Sequence, residues 1–545
     1  MAAIDKDFIV AIELGSSKIS GIAGKKNADG SMQILAYASE PSESCIQRGV
    51  VFNLDKTKQA IENVVKKLET KLDTKVVSIY TSVGGQSLRS DIQFVNKSFP
   101  VGTKLEEQMV DFMCDESREI NLTDYEVLDN VPQQFKVDGS IVSVDPVGVI
   151  AKSIEGKYLN VIVRKSLREN IINCVSNANL RLIENENVAI LQLGRHILNE
   201  TERAGCALVD MGAETTTVAV YSGNVVRYAV VIPIGANAIT KDIAYTTKDE
   251  KEAEDFKLKY GDAYPAFLDG NNGKQADNDD KMEITTKAGE KIQVKDIQEV
   301  IYARTKEIID NVWFQIEKSG YQDKLLQGII LTGGGANLTN ITKAFERRLE
   351  AYKIKVRIAR TLVEPDFKVS SGVSININNC MNNTLFAILA DGKEPCGGGA
   401  LDGGDLFGPE QEEARRQEQL AKEKAAELME ANDKLTLIRD EVNAMISKLK
   451  TACNKLTSDL KDKNQRRIAI EVYNSCQLPD NYQDVITTLS GDIRFAQRIK
   501  ETDGLVKEFN KEKDRLEELV KESKKASSWL SSLKARFDDF INDEK

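Results

Sequence analysis

Two stretches of this chain follow one pattern. FIVAIELGSSKISGIAG (residues 8–24) and CALVDMGAETTTVAVYSG (residues 206–223) each run from an apolar strand into an acid, one further residue, a glycine, a turn of small or hydroxyl side chains, and a second apolar strand. The acids are Glu13 and Asp210. Gly15 and Gly212 allow a tight bend that brings backbone N–H groups close to an anion. Ser16, Ser17, Thr215 and Thr216 add hydroxyl donors. A carboxylate just before each turn suits a hydrated magnesium ion better than a phosphate. Two such hairpins, facing one another, would pinch a polyphosphate.

A third element is GIILTGGGANLTNI, residues 328–341, in which a strand meets Gly333, Gly334 and Gly335 before a predicted helix start. Such a turn can approach a flat nucleoside closely and present N–H groups to it. It is not a dinucleotide fingerprint, because no third spaced glycine follows, and no GxxxxGK[ST] sequence occurs anywhere in the chain. A nucleotide site here must have another architecture.

The elements that would position these residues are mixed α/β. Short β-rich runs (Phe8–Leu14, Val76–Val83, Leu159–Val163, Ala207–Val209, Gly328–Leu331) alternate with helical stretches as far as residue 391. GKEPCGGGALDGGDLFG, residues 392–408, reads as a Gly-rich linker. Beyond it about 54 of 137 residues are charged, against about 105 of 408 before, and glycine nearly vanishes. Leu428, Leu435, Val442, Leu449 and Leu456 recur every seven residues, with Ala431, Ile438, Met445 and Ala452 three after each of the first four. That spacing predicts a coiled-coil seam, formed within one chain or between chains. A second apolar stripe comprises Leu505, Phe509, Leu516, Leu519 and Val520.

Composition narrows the function. With 545 residues the chain exceeds a single small module. A net charge of -11 argues against broad nucleic-acid binding, which needs a basic surface. The single histidine, His196, excludes multi-histidine metal sites and is expected to close an ordinary helix. Eight scattered cysteines without a CxxC, and no leader-like or membrane-spanning run, point to a reducing, cytoplasmic setting.

In this order the three elements resemble the phosphate-1, phosphate-2 and adenosine motifs of the actin/Hsp70/sugar-kinase superfamily. Over roughly residues 7–391 the chain is similar to the FtsA family, the bacterial cell-division actin homologues. VVRYAVVIPIGANAITKDIAY (225–245) resembles that family's strand and helix leading into subdomain 2B. AEDFKLKYGDA (253–263) resembles its adenosine-contacting helix, which carries that role to Glu254 and Lys257. GGQSLRSDIQFV (84–95), LTDYEVLDNVPQQFKVDG (122–139) and VDPVGVIAKSIEGKYLNVIV (144–163) look like its extra subdomain 1C.

The fold so implied is a two-lobed, actin-like α/β ATPase fold with the FtsA-type 1C subdomain, followed by a helical, partly coiled-coil C-terminal extension. Its expected parts are subdomain 1A at 1–83 and 165–201, 1C at 84–164, 2A at 202–241 and 326–391, and 2B at 242–325. The linker at 392–408, the extension at 409–525 and an amphipathic helix at 526–541 follow. ATP and Mg2+ are the implied cofactors. Gly15, Ser16, Ser17, Lys18, Gly212, Ala213, Thr215 and Thr216 would surround the phosphates, with Glu254, Lys257, Gly333, Gly334 and Gly335 on the adenosine side. Glu13 and Asp210 would position magnesium through water. Glu214 departs from the superfamily pattern, which often has a small residue there. It is compatible with an added magnesium-water ligand or with weakened nucleotide binding. DGNNGKQADNDDK, residues 269–281, is read as a polar insertion in subdomain 2B.

The C-terminal SSWLSSLKARFDDFIN resembles the family's membrane-targeting helix. Trp529, Leu530, Leu533, Phe537, Phe540 and Ile541 fall on one helical face, with Lys524, Lys525, Lys534 and Arg536 to meet anionic headgroups. Asp538, Asp539, Asp543 and Glu544 oppose a lipid surface and suit packing on the tail's own helices instead. The function implied is a filament-forming, ATP-binding adaptor that tethers the FtsZ ring to the cytoplasmic face of the inner membrane at the septum, with slow or absent hydrolysis. Its partners would be FtsZ, further copies of itself, membrane lipid and, through 1C, other division proteins. The alternatives are a soluble sugar or acid kinase on the same fold, and an actin-like scaffold of another machine such as pilus assembly.

Overall fold

The computed structural model describes residues 7–398 apart from 120–121, 143–144, 184–187 and 270–281, together with Gly504 and Lys507. The expected coiled-coil extension, the amphipathic helix and nearly all of the 269–281 insertion lie outside the described residues. The first compact unit ends at Asp402, within the Gly-rich stretch.

The chain opens with β1 (Ile9–Leu14), β2 (Lys18–Lys26) and β3 (Met32–Pro41), an antiparallel meander. The first four residues of β1 are buried, as befits a run of apolar residues covered on both faces. A two-residue turn joins β4 (Ile46–Gln47) to β5 (Val50–Val51). Helix α1 (Leu54–Leu72) follows, capped by the Asn53 side chain accepting from Lys56 N–H. Its buried residues Thr57, Ala60, Ile61, Val64, Val65 and Leu68 form one stripe that covers the meander.

The apolar run Val76–Val83 yields only a short strand, β6 (Ser78–Ile79), where a longer one was expected. Single bridges at Val76, Tyr80 and Val83 continue it, each to a different partner, so no ladder forms.

Next come β7 (Arg89–Lys104), α2 (Glu107–Ser117), β8 (Tyr125–Val137), β9 (Ser140–Val142) and β10 (Ile150–Arg164). They enclose a small core of their own around Val95, Met113, Phe135, Ile154 and Tyr158. Helices α3 (Lys165–Asn177), α4 (Ala189–Ile197) and α5 (Glu200–Arg203) lead onward, with β11 (Arg181–Leu182) pairing β6. His196 does stand in the last turn of α4. Its Nε2 lies 2.7 Å from Asp391 and its Nδ1 2.9 Å from the Glu364 carbonyl.

The second half repeats the meander as β12 (Gly205–Met211), β13 (Thr216–Ser222) and β14 (Val225–Ile232). Helices α6 (Asn237–Thr247) and α7 (Glu250–Tyr260), the hairpin β15 (Glu283–Thr285) and β16 (Lys291–Gln293), and the long α8 (Val294–Ser319) follow. Then come β17 (Ile329–Thr332), α9 (Ile341–Arg348), β18 (Val356–Ile358), β19 (Phe367–Val369) and α10 (Asn383–Asp391). One sheet runs β1-β2-β3-β19, and the larger runs β18-β17-β12-β13-β14-β7-β10-β8-β9. Ile239, Ile243, Ile284, Ile292, Ile297 and Ile301 form a further separate core between α6, α8 and the β15–β16 hairpin.

The expected linker does not leave the fold at residue 392. The Tyr80 hydroxyl accepts from the N–H groups of Lys393 (3.1 Å) and Glu394 (2.7 Å). Cys396 N–H donates to Phe8, and Gly398 N–H to Lys75. Residues up to 398 therefore stay bound to Phe8 and to the 75–80 segment because their backbone groups find partners there.

Candidate functional site

The two acid–x–Gly turns adopt the same local geometry. Gly15 N–H donates to the Lys18 carbonyl at 3.1 Å, and Gly212 N–H to the Thr215 carbonyl at 2.8 Å. In each case strand residues before and after the turn pair antiparallel, so the hairpin itself sets the bend. Ser42 braces the first turn, its hydroxyl donating to Gly15 O at 2.6 Å. The second turn rests on the start of α6, where Ala236 N–H donates to Gly212 O and Asn237 N–H to Ala213 O. A Cβ at Gly235 would stand 2.6 Å from both of those carbonyls, so only glycine permits the approach. Sequence reading passed over Gly235, although its place between a strand and a helix was a usable signal.

Gly333 brings the third element in. It has φ +85, and β17 pairs with β12 so that Thr332 lies opposite Asp210. The glycines continue as a single 3-10 turn, Gly334–Asn337, and the α-helix expected there starts only at Ile341. A Cβ at Gly335 would meet Met211 and Ala236, so this turn packs on the second hairpin. Residues 379–382, unnoticed in the sequence, close the wall. Cys380 Sγ donates to Gly333 O at 3.3 Å, Asn337 Nδ2 to Asn379 Oδ1 at 2.7 Å, and Lys18 Nζ to Asn382 Oδ1 at 3.0 Å. That segment lacks the hairpin pattern, so nothing in its spacing marked it.

Not every expected residue faces the cleft. Thr216 is fully buried in β13 and its hydroxyl donates to Ile234 O at 2.8 Å. Glu254 and Lys257 do share a face of α7, but they pair with each other at 2.6 Å. The Thr240 hydroxyl donates to Glu254 and accepts from Lys257 Nζ. Lys257 also reaches the Ala236 carbonyl at 3.4 Å, beside the glycine turn. The pair therefore borders the site without entering its phosphate side.

Electrostatics mark the cleft floor. Burial, then the nearby Asp210 charge, push the Glu13 carboxyl up to about 7, with Lys18 acting in the opposite sense. Burial alone raises Asp210 to about 6. Two carboxylates so placed are stabilised by a cation held between them. Among the described residues no group of three or more His, Cys, Asp or Glu is arranged to hold a metal directly. The donor set fits a cation that keeps its water shell and meets Glu13 and Asp210 through it, as magnesium prefers. A separate cavity, lined by Tyr264, Tyr302, Lys306 and Arg347 among others, contains none of these residues. No helix among the described residues is long and apolar enough to cross a membrane.

Two facing acid–x–Gly hairpins, a glycine turn beside the second, and a sheet in each half define an actin-like α/β protein. The particular family follows from comparison with known proteins. Residues 207–374 match the family model for "Cell division protein FtsA", and residues 85–162 match that for "SHS2 domain inserted in FTSA". Over these residues the chain is similar to the FtsA family of cell division proteins. It is 28% identical to the cell division protein FtsA of Porphyromonas gingivalis over 355 residues, covering 64% of this chain and 72% of that one. With the FtsA of Buchnera aphidicola the identity is 25% over 401 residues, covering 72% and 92%. With that of Escherichia coli K12 it is 26% over 376 residues, covering 66% and 86%. Among solved structures, a PilM-PilN type IV pilus biogenesis complex aligns with a TM-score of 0.47 at 15% identity, over 70% of this chain and 97% of that one. MreB5 of Spiroplasma citri bound to ADP aligns at 0.40 and 13%, over 70% and 95%.

Proposed function

We propose that this protein binds ATP with Mg2+ between its two halves, assembles into filaments, and ties the FtsZ ring to the cytoplasmic face of the membrane at the septum. The observation that carries the nucleotide site is the matched pair of turns at Gly15 and Gly212, with Glu13 and Asp210 at their base. Backbone N–H groups and the hydroxyls of Ser16, Ser17 and Thr215 would hold the phosphates, with Lys18 and Ala213 beside them. Gly333 to Gly335, with the Glu254–Lys257 pair behind them, would border the adenosine. Bound magnesium would offset the charge of the phosphates and of the two carboxylates. Similarity to the FtsA family supports the filament and the FtsZ partnership, and Trp529 to Ile541 are the proposed lipid contact.

The proposed division into subdomains follows the boundaries given above. A separate small core within 84–164 supports 1C as a unit, and a second, drawn from 242–325 together with Ile239, supports 2B. Subdomain 1C is the proposed surface for other division proteins.

Two measurements test this reading. Titration of the full chain with a fluorescent ATP analogue, with and without magnesium, should show magnesium-dependent binding. Co-sedimentation with anionic liposomes should be lost when residues 526–545 are removed. A kinase or a soluble scaffold would show no such loss, and retention of the truncated chain on liposomes would refute the tether.

A further inference from the structure

The residue that departs from the superfamily pattern, Glu214, does not face the other two carboxylates as a third cation ligand. Its side chain is only 14% exposed, and both oxygens are engaged. Oε1 lies 3.2 Å from Lys241 Nζ, and Oε2 accepts the backbone N–H of Arg48 at 2.8 Å. Arg48 comes from the other half of the molecule, at the tip of the β4–β5 hairpin.

That tip is built to use its amides outward. Arg48 (φ +50) and Gly49 (φ +72) are both left-handed, the mirror-type two-residue turn in which neither central N–H serves the hairpin ladder. Arg48 N–H goes to Glu214 in the second phosphate turn, and Gly49 N–H goes to Ser16 Oγ in the first, also at 2.8 Å. The hairpin is held from behind, with Gln86 N–H donating to Arg48 O at 3.1 Å. A Cβ at Gly49 would lie 2.7 Å from the Gly85 backbone, so the tip cannot shift toward that side. Two consecutive amides thus join the two phosphate turns.

We propose that Glu214 and the Arg48–Gly49 tip form a latch across the cleft, which slows nucleotide release and orients the Ser16 hydroxyl. The orientation follows from hydrogen-bond direction. Gly49 N–H occupies a lone pair of Ser16 Oγ and leaves the hydroxyl proton to donate into the cleft. Retention follows because the bond to a carboxylate is charge-assisted and must break before the two turns separate. Glu214 is therefore a positioning residue, acting through the hairpin. The release part of this inference rests on the nucleotide site proposed above; the latch contact does not.

The test uses the full chain, with Glu214→Ala, Glu214→Gln and Lys241→Ala compared with the parent. Amide hydrogen exchange across residues 46–51, measured without nucleotide, reads the latch itself. Dissociation of a fluorescent ATP analogue reads its consequence. In Glu214→Ala we expect about tenfold faster exchange at the tip and about tenfold faster release, the scale of losing one charge-assisted bond. Glu214→Gln keeps a neutral acceptor and should fall between, which also guards against a folding artefact. Lys241→Ala keeps the Arg48 bond and should resemble the parent. Unchanged exchange at residues 46–51 in Glu214→Ala overturns the latch, and faster exchange with unchanged release overturns its role in retention. If the parent chain binds no nucleotide, the site reading fails, and the exchange measurement alone then decides the latch.

Discussion

Gly333 and Asp210 share one narrow place. A methyl group added at Gly333 would fall inside contact distance of Asp210 Oδ1 and 2.7 Å from the Met211 carbonyl. Strand pairing sets this closeness, because Thr332 lies opposite Asp210 and the chain turns immediately afterwards. The glycine turn and the acid of the second hairpin are therefore adjusted to each other, and neither can move alone.

Gly333→Ala should consequently displace Asp210 and put a side chain into positive-φ, extended backbone that is essentially open to glycine alone, a strain of about 1–3 kcal/mol. We expect nucleotide binding to weaken at least tenfold. Gly334→Ala is the internal control, since its added methyl meets only Met381 at 3.8 Å. Titration with a fluorescent ATP analogue checks both. Equal affinities in the two variants would show that this turn is not part of the site.

The raised carboxyls make stability depend on pH. Glu13 and Asp210 hold their protons to higher pH in the folded chain than in the unfolded one. The folded state thus binds extra protons between about pH 4 and 7, and stability falls as pH rises through that window. Glu13→Gln should raise the metal-free stability at pH 8, by on the order of 1 kcal/mol given the open side of the cleft. At pH 4 the difference should vanish. Thermal melts at the two values decide this, and a pH-independent difference would mean that Glu13 is ordinarily solvated.

Neighbouring threonines should separate cleanly. Thr216→Val leaves the Ile234 carbonyl without its donor and should cost about 1 kcal/mol in stability with nucleotide affinity retained. Thr215→Val should weaken nucleotide binding with a smaller effect on melting. The reverse outcome would place Thr216 at the phosphates.

For the tail, Leu435→Glu with Leu449→Glu puts charges at two seam positions and should remove helicity from an isolated 410–525 fragment. Circular dichroism reads it. Full helicity in the double variant would mean that the heptad face is not the packing face.

The parts legible in the sequence were those with a local code. The Glu13–Gly15 and Asp210–Gly212 hairpins could be read because a strand, an acid and a glycine at fixed spacing specify a turn whoever its neighbours are. The His196 helix end and the Glu254–Lys257 face were legible for the same reason, since both follow from spacing along one element. The Val76–Val83 run misled because its hydrophobicity reports burial, whereas a strand also needs one continuous partner, and Val76, Tyr80 and Val83 each bridge to a different one.

Sequence alone therefore determined which residues form turns, which faces are apolar, and that two similar hairpins exist. Only the tertiary structure decided which of those residues meet. It withdrew Thr216 into β13, tied Glu254 and Lys257 to Thr240 of α6, brought Asn379 and Asn382 to the wall of the cleft, and set Arg48 against Glu214. These are contacts between segments tens to hundreds of positions apart. A hydrogen bond at such separation is set by how sheets and helices pack as bodies, and no short stretch of sequence carries that information.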